Sequence, residues 1–319
     1  MQSTAAQWNR RLAPYTGADH RRSVGQLVLT LVLLVAFIAA AHLGHAAHWA
    51  MGLPFSFVAG LLVVRLFVIQ HDCGHRSFFR SPAACDWTGR VLSLFTMTPY
   101  GYWRRDHDKH HATSGDLDRR GTGDLDTLTV REYAELGRRA KLAYRLYRHP
   151  VVLFGIGPAW QFLLRYRLPL GLGKVQRGRM ARSVLLHDLA LVAFFCALGW
   201  GLGAVAVAAV WLPALVTAAT VGVWLFYVQH QFEGTYWERH SGWSFVDASL
   251  RGCSFYRLPR WMHWLTGNIG YHHIHHLSSR IPNYRLAQVF AEVPELQNAP
   301  SVGLWESFRC ARLALWCED

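Results

Sequence analysis

Four long apolar runs restrict the possible folds of this sequence more than any other feature. They are residues 24–43, 49–69, 184–199 and 204–228. A helix needs about 20 apolar residues to cross a hydrocarbon core of about 30 Å. The composition agrees, since 52% of the 319 residues are hydrophobic and only 17% are charged. The sequence therefore predicts an all-α membrane protein with four transmembrane helices.

The four runs form two pairs, so we expect two transmembrane hairpins. A short Gly-His-Ala linker near residue 45 joins the first pair, and the turn Trp200-Gly201-Leu202-Gly203 joins the second. The polar remainder, residues 70–182 and 229–319, is assigned to a helical cap. Hairpins and cap are predicted to form one domain over residues 1–319.

Lysine and arginine concentrate on one side of these hairpins. Residues 1–23 contain 4 of them, residues 70–182 contain 20 and residues 229–319 contain 8, whereas the hairpin tips contain none. Because positively charged segments stay in the cytoplasm, both termini and the cap are predicted to be cytoplasmic. The net charge of +13 is then largely a topology signal, and binding to nucleic acid is not needed to explain it.

Three tight histidine clusters lie in the predicted cap. Side chains three and four residues apart share a helix face, so the rings within each cluster are expected to point a common way. The clustered candidates are His71, His75, His107, His110, His111, His272, His275 and His276. His273 lies about 100° around the helix from His272 and is expected to stay outside the ligand set. His230 lies just beyond the fourth run and is expected to be a ninth ligand.

This ligand set indicates metal binding, with two ions favoured over one. Neutral imidazole suits zinc, copper, iron and nickel, so ligand type leaves the metal open. One zinc ion takes three or four protein ligands, whereas eight or nine imidazoles suit two ions. Asp72 and Asp108 are expected to orient neighbouring rings. Arg65, inside the second run, is expected to extend its charge toward the membrane surface.

Two further apolar segments are predicted to lie at the membrane interface. Residues 151–164 are too few to cross and contain Gly155, Gly157 and Pro158, and residues 91–103 end with Pro99 and Gly101. A crossing at 151–164 would also put the third histidine cluster on the opposite side from the first two. All three clusters can share a site only without that crossing.

The clusters His71-Asp72-Cys73-Gly74-His75, His107-x-x-His110-His111 and His272-x-x-His275-His276 resemble the three histidine boxes of membrane fatty acid desaturases. Segments beyond the boxes are similar to those of bacterial acyl-lipid desaturases, and the likeness covers roughly residues 60 to 300. These segments are Gly121-Thr122-Gly123-Asp124, Leu128-Thr129-Val130, 142–148, 224–230, 264–271 and Ile281-Pro282-Asn283-Tyr284.

This resemblance implies an oxidoreductase that acts on paired donors and reduces O2 to water. It implies two Fe ions (Fe2+/Fe3+), O2 as co-substrate, and a cis double bond introduced into acyl chains of membrane phospholipids at the bacterial inner membrane. The eight clustered histidines would be the catalytic iron ligands, with His230 as the ninth. The alternatives are a di-iron hydroxylase or ketolase acting on carotenoids or sphingolipids, and a metal or lipid sensor without catalytic activity.

The reaction requires two electrons, which must come from another protein. The sequence contains no flavin or nicotinamide fingerprint, and its six cysteines include no CxxC pair and are expected to be reduced thiols. A separate, acidic, ferredoxin-type donor is therefore expected to dock on the basic cytoplasmic face. The sequence leaves open the double-bond position, the donor's identity, the oligomeric state, and whether phospholipid, acyl-CoA or acyl carrier protein presents the chain.

Overall fold

The computed structural model describes residues 4–170 and 174–318, with side chains from 178 onward in the second range. Within these ranges the α-helices are α1 (Ala5–Leu12), α2 (His20–Ala47), α3 (Trp49–Gly74), α4 (Pro82–Thr96), α5 (Tyr100–Thr113), α6 (Val130–Glu135), α7 (Arg138–Arg148), α8 (Gly157–Ala159), α9 (Lys174–Leu202), α10 (Ala204–His230), α11 (Phe245–Leu250), α12 (Arg260–Leu265), α13 (His272–Leu277), α14 (Asn283–Glu292) and α15 (Leu304–Cys310). The strands are β1 (Leu128–Thr129), β2 (Phe255–Arg257), β3 (Ser301–Gly303) and β4 (Leu315–Trp316).

Short helical turns of other types also occur in the described ranges. Turns of 3-10 helix lie at Ala13–Tyr15, Arg165–Arg167 and Pro294–Asn298, and π-helical turns at Val152–Ile156 and Trp160–Leu164 flank α8.

Within the described ranges, four helices are long and apolar enough to cross a membrane, and they confirm the all-α membrane fold. These are α2, α3, α10 and the part of α9 from Gly178 to Leu202. Helix α3 is central, since 61% of its apolar 18-residue stretch is buried inside the protein. The corresponding share is 17% for α2 and for α9. It packs against α2, α4 and α10. The outer helices thus keep apolar faces free for the lipid hydrocarbon.

The helices of each hairpin are joined more tightly than the sequence predicts. Helix α2 runs to Ala47 and α9 to Leu202, so His48 and Gly203 alone separate the paired helices. Gly203 has a φ of +84°, a left-handed conformation that suits glycine. The predicted linker and four-residue tip are wrong because helical hydrogen bonding continues through them.

A glycine also sets the close crossing of α3 and α10. A Cβ atom on Gly60 would lie 2.5 Å from the backbone oxygen of Ala214. Only glycine lets these two backbones come so near. This crossing places the lower ends of α3 and α10 side by side, where the first histidine pair and His230 lie.

The expectation for Arg65 is wrong, because its side chain is buried between helices. It donates through Nε to Oγ1 of Thr30 on α2, at 3.1 Å, and through Nη1 to the backbone oxygen of Trp264. The guanidinium carbon also lies 4.2 Å from the centre of the Trp264 ring. Arg65 therefore joins α12 to the spanning helices.

Short parallel strand pairs hold the cap together. Strand β1 of the first segment pairs with β4 of the second and joins the two, whereas β2 pairs with β3 within the second segment. Helix α14 packs against both α13 and α3, and so lies beside the third histidine cluster. The cap therefore holds α5 and α13 in fixed positions below α3 and α10. The interfacial position of residues 91–103 and 151–164 stays a prediction.

Candidate metal centre

Nine histidines converge beneath the spanning helices in two adjacent groups. In each group, one ring nitrogen per residue lies within 4.8 Å of all the others. The first group, the pentad, consists of His71, His75, His107, His111 and His275. The second group, the tetrad, consists of His110, His230, His272 and His276.

Four helices supply these rings. Helix α3 extends through Gly74 and α10 through His230, so both spanning helices carry candidate ligands in or next to their last turn. Helices α5 and α13 provide the other two clusters from the cap. The sequence therefore placed the helix ends a few residues too early, because polar residues at the membrane edge do not interrupt a helix.

The division into groups follows helix geometry. Each pair spaced by four residues stays in one group, and these pairs are His71 with His75, His107 with His111, and His272 with His276. The ring three residues along from His107 and from His272 belongs to the other group. Steps of four and three residues rotate by about +40° and −60° around a helix, so neighbouring faces can serve two adjacent ions.

Ring nitrogens in each group approach one another closely. In the pentad, Nε2 of His107 lies 3.0 Å from Nε2 of His75 and 3.1 Å from Nε2 of His111. In the tetrad, Nε2 of His230 lies 3.2 Å from that of His110 and 2.9 Å from that of His272.

Hydrogen bonds cannot account for these rows of closely spaced ring nitrogens. A ring nitrogen has either a proton or a lone pair, so Nε2 of His107 cannot donate to one neighbour and accept from the other. The buried Nε2 of His276 also has no hydrogen-bond partner among the described residues. A shared cation would occupy all of these lone pairs, so the donor set fits a metal in each group.

Burial keeps six of these imidazoles neutral, as metal ligands must be. It lowers the pKa well below the usual histidine value in six rings outside the spanning helices, and neighbouring histidine charges lower it further. These rings are His75, His107, His111, His272, His275 and His276. Their lone pairs are thus available at neutral pH.

Two carboxylates contact the Nδ1 atom of a grouped histidine and so orient its ring. Asp72 lies with Oδ1 3.3 Å from Nδ1 of His71, and its Oδ2 accepts the backbone N–H of Asn283 at 2.7 Å. Asp124 contacts Nδ1 of His110. Both contacts leave Nε2 to face the group and favour the tautomer whose lone pair is on Nε2.

Sequence reasoning missed Asp124 and misjudged Asp108. Asp124 lies fourteen residues after His110, beyond helical spacing, and its segment stood out only through the family resemblance. The side chain of Asp108 is 55% exposed and pairs with Arg104 at 3.7 Å, so it points away from the grouped rings. Its expected role in orienting a ring is therefore wrong.

Aromatic rings cover the groups. Trp103 stacks on His107, with ring centres 4.7 Å apart. Phe226, one turn before His230, lies 5.1 Å from both His110 and His230. These rings make the surroundings of both groups apolar and limit the entry of water.

The other histidines lie outside both groups, as expected. His273 is buried beside Phe255 and Phe290, and burial lowers its pKa to about 4. His240 contacts the carboxylate of Asp116 at 2.8 Å. The remaining residues without a place in either group are His20, His42, His45, His48, His149, His187 and His263.

Known proteins with a similar sequence identify the family. The model of the family described as fatty acid desaturase matches residues 47–308. The chain belongs to the fatty acid desaturase family. This match includes all nine grouped histidines and supports an oxidoreductase of lipid metabolism whose family implies iron.

Desaturases from bacteria and cyanobacteria are among its relatives. A fatty acid desaturase of Bacillus subtilis is 39% identical over 313 residues, covering 98% of this chain and 88% of the relative. An sn-1 acyl-lipid omega-3 desaturase (ferredoxin) of Synechocystis is 28% identical and covers 90% and 80%. An sn-1 oleoyl-lipid 12-desaturase of Picosynechococcus is 28% identical and covers 78% and 71%.

Proposed function

We propose that this desaturase uses two iron ions and O2 to introduce a cis double bond into acyl chains of membrane phospholipids. The observation that carries the proposal is the pair of adjacent histidine groups at the ends of two membrane-type helices. Relatives named as acyl-lipid desaturases support a lipid-bound acyl chain as substrate.

The number and type of ligands support iron over a structural zinc ion. A structural zinc ion takes four protein ligands, commonly with cysteine among them. The pentad offers five imidazoles and the tetrad four, and neither group contains a cysteine.

The pentad and the tetrad would each hold one iron ion. Bound there, the iron pair would supply the oxidising chemistry with O2 that an unactivated methylene C–H bond requires. Asp72 and Asp124 would hold His71 and His110 in the ligating orientation. Trp103 and Phe226 would keep water away from the reacting carbons.

The membrane position of the site suits an acyl chain. The first histidine pair continues α3, and His230 ends α10, so both groups lie directly beside the membrane-spanning segments that a lipid-bound acyl chain would approach. We assign residues 1–319 to one integral membrane domain. The site and both termini would face the cytoplasm at the bacterial inner membrane, since positive charge is concentrated there.

A separate donor would supply two electrons per turnover, which with two electrons from the acyl chain reduce O2 to water. A ferredoxin-type protein fits because one relative has ferredoxin in its name and because the cap is basic. Its acidic surface would be attracted to the cap.

Product analysis tests the proposal. The protein would be expressed in a bacterium without polyunsaturated lipids, and fatty acid methyl esters would be analysed beside an inactive His110→Ala control. New cis double bonds that require O2 and are absent from the control are expected. Hydroxylated or ketolated products, or no product from iron-loaded protein, would contradict it. Labelled phospholipid, acyl-CoA and acyl carrier protein supplied to purified enzyme would distinguish the acyl carrier.

A further inference from the structure

Two short cap helices expose large aromatic side chains that the catalytic proposal does not use. On α12, Trp261 and Trp264 are 63% and 38% exposed. On α15, Trp305 and Phe308 are 80% and 56% exposed. In each helix the two aromatic residues are three positions apart and so share a face. We call these four residues the aromatic patch.

The fold puts both helices at one edge. Strands β2 and β3 are parallel, with Phe255 opposite Ser301 and Arg257 opposite Gly303. Helix α15 begins directly after β3, and α12 begins three residues after the end of β2. An ion pair of 3.0 Å between Arg257 and Glu306 joins the two connections. Both aromatic pairs of the patch therefore lie at the same edge of the cap.

This edge lies at the depth of the spanning helices. The backbone oxygen of Trp264 accepts a hydrogen bond from Arg65 of α3, and the ring of Phe308 lies 5.2 Å from that of Trp224 of α10. Arg65 and Trp224 are each six residues before the nearest grouped histidine, His71 or His230. At a rise of 1.5 Å per residue, Arg65 and Trp224 each lie about 9 Å closer to the membrane centre than these histidines.

Packing supports the same depth. Leu265 of α12 packs against the buried cluster that contains Leu62 and Leu66 of α3. Leu304 of α15 packs against the cluster that contains Val68 and Leu225. Both short helices thus attach their inner faces to membrane-spanning segments and leave their aromatic faces outward.

Exposed arginines accompany the aromatic rings. Arg260 begins α12, and Arg309 follows Phe308 on α15. Tryptophan favours the membrane–water interface, and arginine can extend to lipid phosphates from there. A soluble acidic protein would match the charge, but it could not approach residues at the level of α3 and α10 without displacing lipid.

We propose that α12 and α15 lie within the interface of the phospholipid leaflet, with the aromatic patch between the lipids and the arginines at the phosphate level. This part of the cap is then a further membrane contact besides the four spanning helices. Helices of this kind insert about 5–10 Å into the boundary between headgroups and acyl chains. The proposal concerns membrane contact and does not depend on the reaction catalysed.

Spin-label accessibility tests this contact in the full-length, iron-loaded protein. Trp305→Cys and Trp261→Cys would be made separately in a background with the exposed cysteines replaced, Cys196→Ser and Cys317→Ser. The matched control is Gln288→Cys on α14, an exposed cap position hydrogen-bonded to Glu292. Each labelled protein would be placed in nanodiscs of phosphatidylcholine and phosphatidylglycerol.

Labels at 305 and 261 should be relaxed by O2 more than by a water-soluble nickel chelate, at a depth of about 5–10 Å, and the label at 288 should show the reverse. Nickel access at 305 and 261 equal to that at 288 would overturn the proposal. Nickel access that disappears only when an acidic ferredoxin is added would also overturn it, in favour of a protein docking site. Unchanged iron content would verify that each variant is folded.

Discussion

Asp124 holds Nδ1 of His110 across fourteen residues of chain, and it does so from a loop. The contact fixes the ring so that Nε2 faces His230, 3.2 Å away. A carboxylate behind an imidazole also raises the basicity of the ligating nitrogen. The loop after the second histidine cluster therefore contributes to the tetrad without providing a ligand.

Replacing Asp124 by Asn should weaken iron binding by about 10–100-fold, because the carboxylate that orients His110 is lost. Iron retained during dialysis against graded chelator would measure the change. Asp108→Asn is the matched control, since Asp108 is half exposed and touches neither group. Equal iron retention in the two variants would contradict the assigned role.

Replacing His230 by Ala should remove one of the two iron ions and abolish desaturation, because the tetrad would keep only three imidazoles. Iron per chain, measured by elemental analysis, should fall by about half. His273→Ala should leave both ions bound, since His273 is buried but belongs to neither group. Iron loss in His273→Ala but not in His230→Ala would contradict the assignment of His230 as a ligand.

Replacing Arg65 by Met should destabilise the attachment of α12, because the carbonyl of Trp264 loses its buried donor. An unsatisfied buried group costs about 1–3 kcal/mol. Thermal unfolding in detergent would measure the loss. Arg90→Met offers a matched control, since Arg90 stacks over the exposed Trp87 with 4.9 Å from guanidinium to ring centre. That variant should change stability by no more than about 0.5 kcal/mol, and equal losses would contradict the account.

The iron-free protein should lose stability as pH falls below about 6.5, the ordinary histidine pKa. Burial lowers the pKa of His75, His107 and His275 well below that value in the folded state, and that of His273 to about 4. The unfolded chain then binds more protons than the folded chain, so the free energy of unfolding rises with pH in this window. Unfolding midpoints of iron-free protein at several pH values would detect this, and an unchanged midpoint would contradict it.

The membrane helices could be predicted because length and apolarity alone identify them. All four predicted runs are found within α2, α3, α9 and α10. Their ends could not be predicted, since hydropathy marks where apolar residues stop and not where helical hydrogen bonding stops. Arg65 shows the same limit, because its partner Trp264 lies 199 residues away and only the tertiary fold brings them together.

The grouped histidines could be named from their spacing, but their division between two groups could not. His107 and His110 share a helix face by the usual rule, yet they belong to different groups, because His107 lies with the rings of α3 and His110 lies with His230 of α10. The role of Asp124 was likewise hidden, since a loop of irregular conformation carries it. Local periodicity thus identifies candidate ligands, and long-range packing decides which rings share an ion.

X-ray absorption at the iron edge of purified, active protein tests the central claim most directly. The account predicts two iron ions per chain with shells dominated by imidazole nitrogen at about 2.1 Å. Conversion of His110 or His230 to Ala should lower both the iron content and the number of nitrogen ligands. Active protein that contains no iron, or iron bound mainly by sulfur, would contradict the account.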